Sequence, residues 1–161
     1  MHLSRRTVSI LTVIIAVILL FLLSVFMFSQ RPIEQAREET TSLINIEYPV
    51  EDTSDFYWLT TPDETYFSLE FTTTDDKQMY GIVARDSGET VYYDYNELIT
   101  NDDALAITVN DLDPLEVQQA RLGLVENEPV WEVTYTDKES RMGYYYISAK
   151  DGSWIQTISN L

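Results

Sequence analysis

A chain of 161 residues has room for one ordinary domain, or two small ones once a targeting segment is set aside. With 27 acidic residues against 10 basic ones it carries a formal charge of −17, which repels nucleic acid and anionic headgroups and makes a basic patch the natural complement on a protein partner. It contains no cysteine, which excludes a disulfide framework, a thiol nucleophile and a lipid-attached cysteine; its one histidine is His2.

Residues 1–7 are short and basic, with Arg5 and Arg6 directly before an apolar run. That run, residues 8–28, reads VSILTVIIAVILLFLLSVFMF and holds no charge over 21 residues. As a helix rising 1.5 Å per residue it would be roughly 31 Å long, the thickness of a bilayer core. A cleaved signal peptide has an apolar region of about 7–15 residues and small residues at its end, whereas this run is longer and ends in Phe26, Met27 and Phe28. The expectation is an uncleaved single-pass anchor in the plasma membrane. Basic flanks stay on the cytoplasmic side, so the N-terminus is expected inside and the rest of the chain, with its charge of −19, outside.

After the run, Pro32 to Ile46 reads PIEQAREETTSLINI. Pro32 suits a first helical turn, and Ile33, Ala36, Leu43 and Ile44 fall near helical spacing. A helix leaving the membrane is predicted, ended by Pro49. From Phe56 the period changes to two, first in FYWLTT and then in TYFSLEFTTT, where Phe67, Leu69 and Phe71 alternate with Ser68 and Glu70. The polar TTTDDKQ turns the chain into MYGIVA, with Tyr80, Ile82 and Ala84 on one side. RDSGE turns it again into TVYYDY.

The same order recurs. Thr100 and Asp103 have the spacing of a helix-capping pair, Ala104, Leu105, Ile107 and Val109 come next, and Asp113-Pro114 stops the segment. Strands are predicted near 117–126, 130–136, 142–149 and 153–158. Phe67, Leu69 and Phe71 stand 64 residues before Trp131, Val133 and Tyr135; Tyr80, Ile82 and Ala84 stand 65 before Tyr145, Ile147 and Ala149; Val91 stands 64 before Ile155. The turn Lys150-Asp151-Gly152 matches Arg85 to Gly88 with one residue fewer. These agreements mark an internal repeat.

The fold class is therefore α+β: an N-terminal transmembrane helix, then two small repeats over residues 30–95 and 96–161, each one helix on an antiparallel sheet of three to four strands. Trp131, Val133, Tyr135, Tyr145, Ile147 and Ala149 are assigned to the helix-covered side. Opposite them stand Glu132, Thr134, Tyr144, Tyr146 and Ser148.

The residues beyond the anchor narrow the function classes. With no imidazole there, Ser-His-Asp, Cys-His and HExxH chemistries are unavailable, and neither G-x-S-x-G nor S-x-x-K occurs. Asp75-Asp76 and Asp102-Asp103 read as turn and helix-start residues, and DLDPLE at 111–116 lacks the glycine and loop length of an EF-hand. No catalytic residue, cofactor, metal or small-molecule substrate is expected. Tyr66, Tyr80, Tyr135 and Tyr145 suit inward packing. Tyr144 and Tyr146 beside Glu132 form either an aromatic patch with an acidic border for a protein partner, or a face packed against the first repeat.

The basic N-terminus, the single apolar run and two repeats ending in PVWEVTY, YYYI and a DG turn resemble the YpmB or TseB-like family of cell-wall elongation regulators of Gram-positive bacteria. The second repeat is similar to a PepSY domain, and the specific residues of the resemblance lie between Gly123 and Trp154. The resemblance implies a non-enzymatic accessory protein facing the wall that modulates a class B penicillin-binding protein. Its alternative implication is a PepSY-type inhibitor or chaperone of an exported peptidase.

Overall fold

The structure, a computed structural model, describes the backbone of residues 5–159 and the side chains of residues 13–25 and 31–159. Its first helix, α1, spans Arg5–Glu47 and runs through Pro32 instead of starting there. An internal proline forgoes one i→i−4 bond and costs about 3 kcal/mol, but the straight-chain and alanine residues of EQAREE just beyond it favour helix and carry the segment on. The helix stops where the Tyr48 N–H bonds to the Ile44 carbonyl, just before Pro49. The expected span falls partly on residues 8–12 and 26–28, whose side chains lie outside the described residues. Residues 13–25 are helical and exposed all round. Among the described residues no helix is long and apolar enough to cross a membrane.

From Arg37 onward the described chain forms one compact unit. It holds two antiparallel sheets of four strands, each in simple sequential order. The first comprises β1 (Val50–Thr60), β2 (Thr65–Thr73), β3 (Gln78–Ala84) and β4 (Thr90–Asp94). After it comes α2 (Asn101–Leu112), whose start is the capping pair read in the sequence. The Thr100 hydroxyl accepts from the Asp103 N–H at 3.2 Å, and the Asp103 carboxylate accepts from the Thr100 N–H at 3.0 Å. Its end is Asp113, left-handed at φ 44°, just before Pro114. The second sheet comprises β5 (Glu116–Val125), β6 (Glu128–Thr136), β7 (Met142–Ser148) and β8 (Trp154–Ile158).

The repeat is more regular than the residue pattern indicated. Trp58 pairs with Phe67 as Leu122 pairs with Trp131, and Phe67 pairs with Val83 as Trp131 pairs with Ile147, each residue 64 positions on. The turn closed by Ala84 N–H to the Glu89 carbonyl recurs as Ser148 N–H to the Ser153 carbonyl, again 64 apart, so no residue is missing from the second turn. The offset of 65 assigned to β3 is thereby corrected. The residues beside Phe67, Leu69 and Phe71 are Val83, Gly81 and Met79, whereas Tyr80, Ile82 and Ala84 point to the opposite face. In the last strand Val91 corresponds by pairing to Gln156, because a bulge sets Ile155 out of register.

Each helix covers one face of its own sheet. Of the positions read on α1, Ala36 and Ile44 are buried, with Thr40 between them, whereas Ile33 and Leu43 are exposed. Ile44 packs on Leu69, Phe71, Met79 and Val83. Gly81 is required there, since a Cβ would lie 2.6 Å from Ile44 Cδ1. On α2 the positions equivalent to Thr40 and Ile44, namely Ala104 and Thr108, are both fully buried. Trp131, Val133, Tyr135, Tyr145, Ile147 and Ala149 lie in one core with Ala104, as assigned from the sequence.

The other face of the first sheet is not solvated. Tyr57, Tyr80 and Ile82 join the core of the second half, and the Tyr57 ring meets Trp131 edge-on with centroids 5.0 Å apart. The Ser68 hydroxyl, fully buried, donates to the Leu122 carbonyl at 2.8 Å. Leu59 presses over Gly123, its own counterpart 64 residues on, at a spot where no Cβ fits. Strand β5 is thus an edge strand protected by the first sheet, and the two repeats are packed halves of one body.

Candidate functional site

The surface singled out in the sequence is the face of the second sheet away from α2. Antiparallel register aligns Arg121 of β5 with Glu132 of β6, Glu132 with Tyr146 of β7, and Tyr146 with Gln156 of β8. The row is bonded as well as aligned. Arg121 Nη1 donates to Glu132 Oε1 at 2.9 Å, and the Tyr146 hydroxyl donates to Glu132 Oε2. Both carboxylate oxygens are therefore satisfied, one of them by a cation.

This row is not the open patch that one reading of Tyr144, Tyr146 and Glu132 expected. Glu132 is 4% exposed and Tyr146 6% exposed. Tyr146 lies in a cluster with Leu59 and Val130, with Tyr66 of the first sheet and Tyr144 packed against it. Of the two readings the geometry is that of the second, a face partly covered by the first repeat. Only Tyr144 is half-exposed, standing between Thr134 and Ile158 in the register of its neighbours. The hydroxyl of Thr134, buried beneath, has no hydrogen-bond partner among the described residues.

The electrostatics reflect the burial. Removal from water, and after it the bond to Glu132, pushes the Tyr146 phenol up from its ordinary range. On the opposite face the Tyr145 hydroxyl donates to Asp111 Oδ2 at 2.7 Å, and burial with that bond raises its phenol to about 12. Such groups stay neutral and serve as hydrogen-bond donors. They do not act as proton-transfer groups near neutral pH.

Two residues with exposed or charged side chains were not singled out in the sequence. Arg121 could not be matched to Glu132 because a register shift between Val117 and Gln119 hides the alignment of β5. Trp154, paired with Ile147, stands on the α2 side of β8 and is 62% exposed. The only signal for it was a large apolar residue one position beyond the Asp151-Gly152-Ser153 turn, opening the uncharged segment WIQTI. Among the described residues no group of three or more His, Cys, Asp or Glu side chains is placed to hold a metal ion.

No protein-family model matches the chain, and no curated protein matches it. A solved structure, that of the YpmB protein from Bacillus subtilis, does. It superposes with a TM-score of 0.67 at 21% identity, over 76% of this chain and 95% of that one. The chain has a YpmB-like fold.

Proposed function

We propose that the chain is a membrane-anchored, exported regulator of cell-wall elongation that has no enzymatic activity of its own and acts by contact with a class B penicillin-binding protein. The observation that carries this reading is the YpmB-like fold in a chain whose sequence also resembles the wall-elongation regulators. The two halves, each one helix on four antiparallel strands, are read as a pair of PepSY-like units. The uncharged run at residues 8–28 behind Arg5 and Arg6 is read as the anchor, with the N-terminus in the cytoplasm.

Chemistry supports the same side. After His2 the sequence has no imidazole and no thiol, and burial holds up the phenols of Tyr145 and Tyr146 beside the candidate surface, so the groups there that ordinarily accept protons at neutral pH are carboxylates. Affinity capture of the full chain from detergent extracts, with identification of what is retained, tests the reading. Recovery of a penicillin-binding protein in near-stoichiometric amount is expected. Recovery of an exported peptidase instead, or release of soluble fragments when the full chain is incubated with purified peptidoglycan, would overturn it.

A further inference from the structure

We infer that the free edge of β8 is the contact element, and that its occupant is an extended segment of the partner in which basic and apolar side chains alternate. The inference deepens the proposed contact function and rests on it.

The four edge strands of the two sheets are not alike. β1 carries Glu51, Asp52 and Asp55 and is broken by register shifts; β5 lies against the first sheet; β4 ends in Asp94, held by Lys77 at 2.5 Å. Charge, bulges and cover are the usual means of keeping an edge from pairing. β8 has the fewest of them. Trp154–Ile158 contains neither a charge nor a proline, pairs with β7 alone among the described strands, and exposes Trp154 and Ile158. Its one bulge, at Ile155, lies near its start.

The two sides of this edge differ in a way that specifies the occupant. On the α2 side stand Trp154 and Thr157, the indole N–H donating to the Thr157 hydroxyl at 3.0 Å. Thr157 is paired with Tyr145, whose hydroxyl reaches Asp111. α2 carries Asp102, Asp103 and Asp111 and no basic residue. Lysine or arginine pointing to this side would meet the exposed indole of Trp154 and, beyond Tyr145, the Asp111 carboxylate at the end of α2. On the other side Ile158 adjoins Tyr144, and an apolar side chain is the complement.

Charge excludes the opposite choice. Residues 96–161 hold 12 acidic side chains and 4 basic ones, a net charge of −8. All four cations are engaged: Arg121 with Glu132, Lys138 with Asp113, Arg141 with Asp137 and Glu139, and Lys150 with Glu128. None is left to attract an acidic segment, and a second copy of so acidic a surface would be repelled. Strand addition gives the main-chain bonds, and the alternation gives register.

The test uses the full chain in detergent micelles and a dye-labelled synthetic peptide alternating lysine and valine, monitored by fluorescence anisotropy. Saturable binding is expected that weakens with added salt, and a peptide with glutamate in place of lysine should bind at least tenfold more weakly. Thr157→Lys, at an exposed position, should weaken the lysine peptide at least tenfold with the thermal midpoint unchanged. Equal binding of both peptides, or an undiminished Thr157→Lys variant, would overturn the inference. So would a dimer in sedimentation that Thr157→Lys dissociates, since the occupant would then be a second copy. The same variant separates the edge from the partner class. If it still captures a penicillin-binding protein in full yield, the edge is wrong and the contact function stands. If neither variant nor parent captures one while the lysine peptide binds, the edge stands and the partner class is wrong.

Discussion

Glu132 is a carboxylate taken almost wholly out of water in the middle of a sheet, and it is tolerated because each of its oxygens has a donor. Arg121 supplies one and Tyr146 the other. Tyr146→Phe keeps the ring in its cluster with Leu59 and Val130 but leaves one oxygen unpaired. The expected cost is about 1–3 kcal/mol, read as a lower midpoint in urea denaturation with an unchanged slope. The buried phenols also set a limit at high pH. Tyr145 is raised to about 12, and burial also lifts Tyr57, Tyr80 and Tyr146, whereas an unfolded chain ionises near 10. A raised folded value means that the folded state holds its protons longer. Stability from this source is complete below about pH 10 and is lost as pH climbs towards 12. A spectrophotometric titration near 295 nm should show these phenols ionising late, in step with loss of the near-ultraviolet dichroism. A smooth titration of all the tyrosines near 10 would contradict it.

At the scale of elements, α2 depends on a cap that the sequence displayed openly. Thr100 and Asp103 exchange bonds at its start, and those bonds from Thr100 hold the Asp103 carboxyl below its usual range. Thr100→Ala should cost about 1 kcal/mol. Because a depressed carboxyl gives its stability above the unfolded value, the difference between parent and variant should shrink as pH falls through the acid range. Paired thermal melts at neutral and acid pH check both the size and the trend. Strand positions were similarly legible, since β2 alternates cleanly and turn residues bound each run. The register of β3 was not. Met79, Tyr80, Gly81, Ile82 and Val83 are all buried, one set against α1 and the other against the second half, so the strand offers no polar face by which to choose its side. The same ambiguity concealed the candidate surface. Alternation placed Tyr144, Tyr146 and Glu132 correctly on one face of the second sheet, but nothing in their own sequence says that Leu59 and Tyr66, far away in the chain, cover part of it.

For the whole body from Arg37 onward, the decisive feature is that each half completes the other. A four-stranded sheet with one helix buries one face; about 60 residues built that way are individually marginal. Here the second face of the first sheet is buried by the second half, through Tyr57 on Trp131, Ser68 on Leu122 and Leu59 over Gly123. The halves should therefore unfold together. In urea, with Trp58 and Trp154 replaced by phenylalanine so that only the fully buried Trp131 emits, its fluorescence and the far-ultraviolet dichroism of both sheets should trace one transition. Leu59→Ala removes a fully buried side chain from the joint and should cost about 2–5 kcal/mol. Gly123→Val attacks the same joint from the other side, by forcing a branched side chain into the space that Leu59 occupies, and should also lower the midpoint. The pair distinguishes a joint from a mere cavity. If the halves are coupled, both variants shift the two probes by equal amounts and keep the transition single. If the halves fold independently, the probes separate, with β6 and α2 melting apart from the first sheet, and the joint then contributes little to holding either half folded.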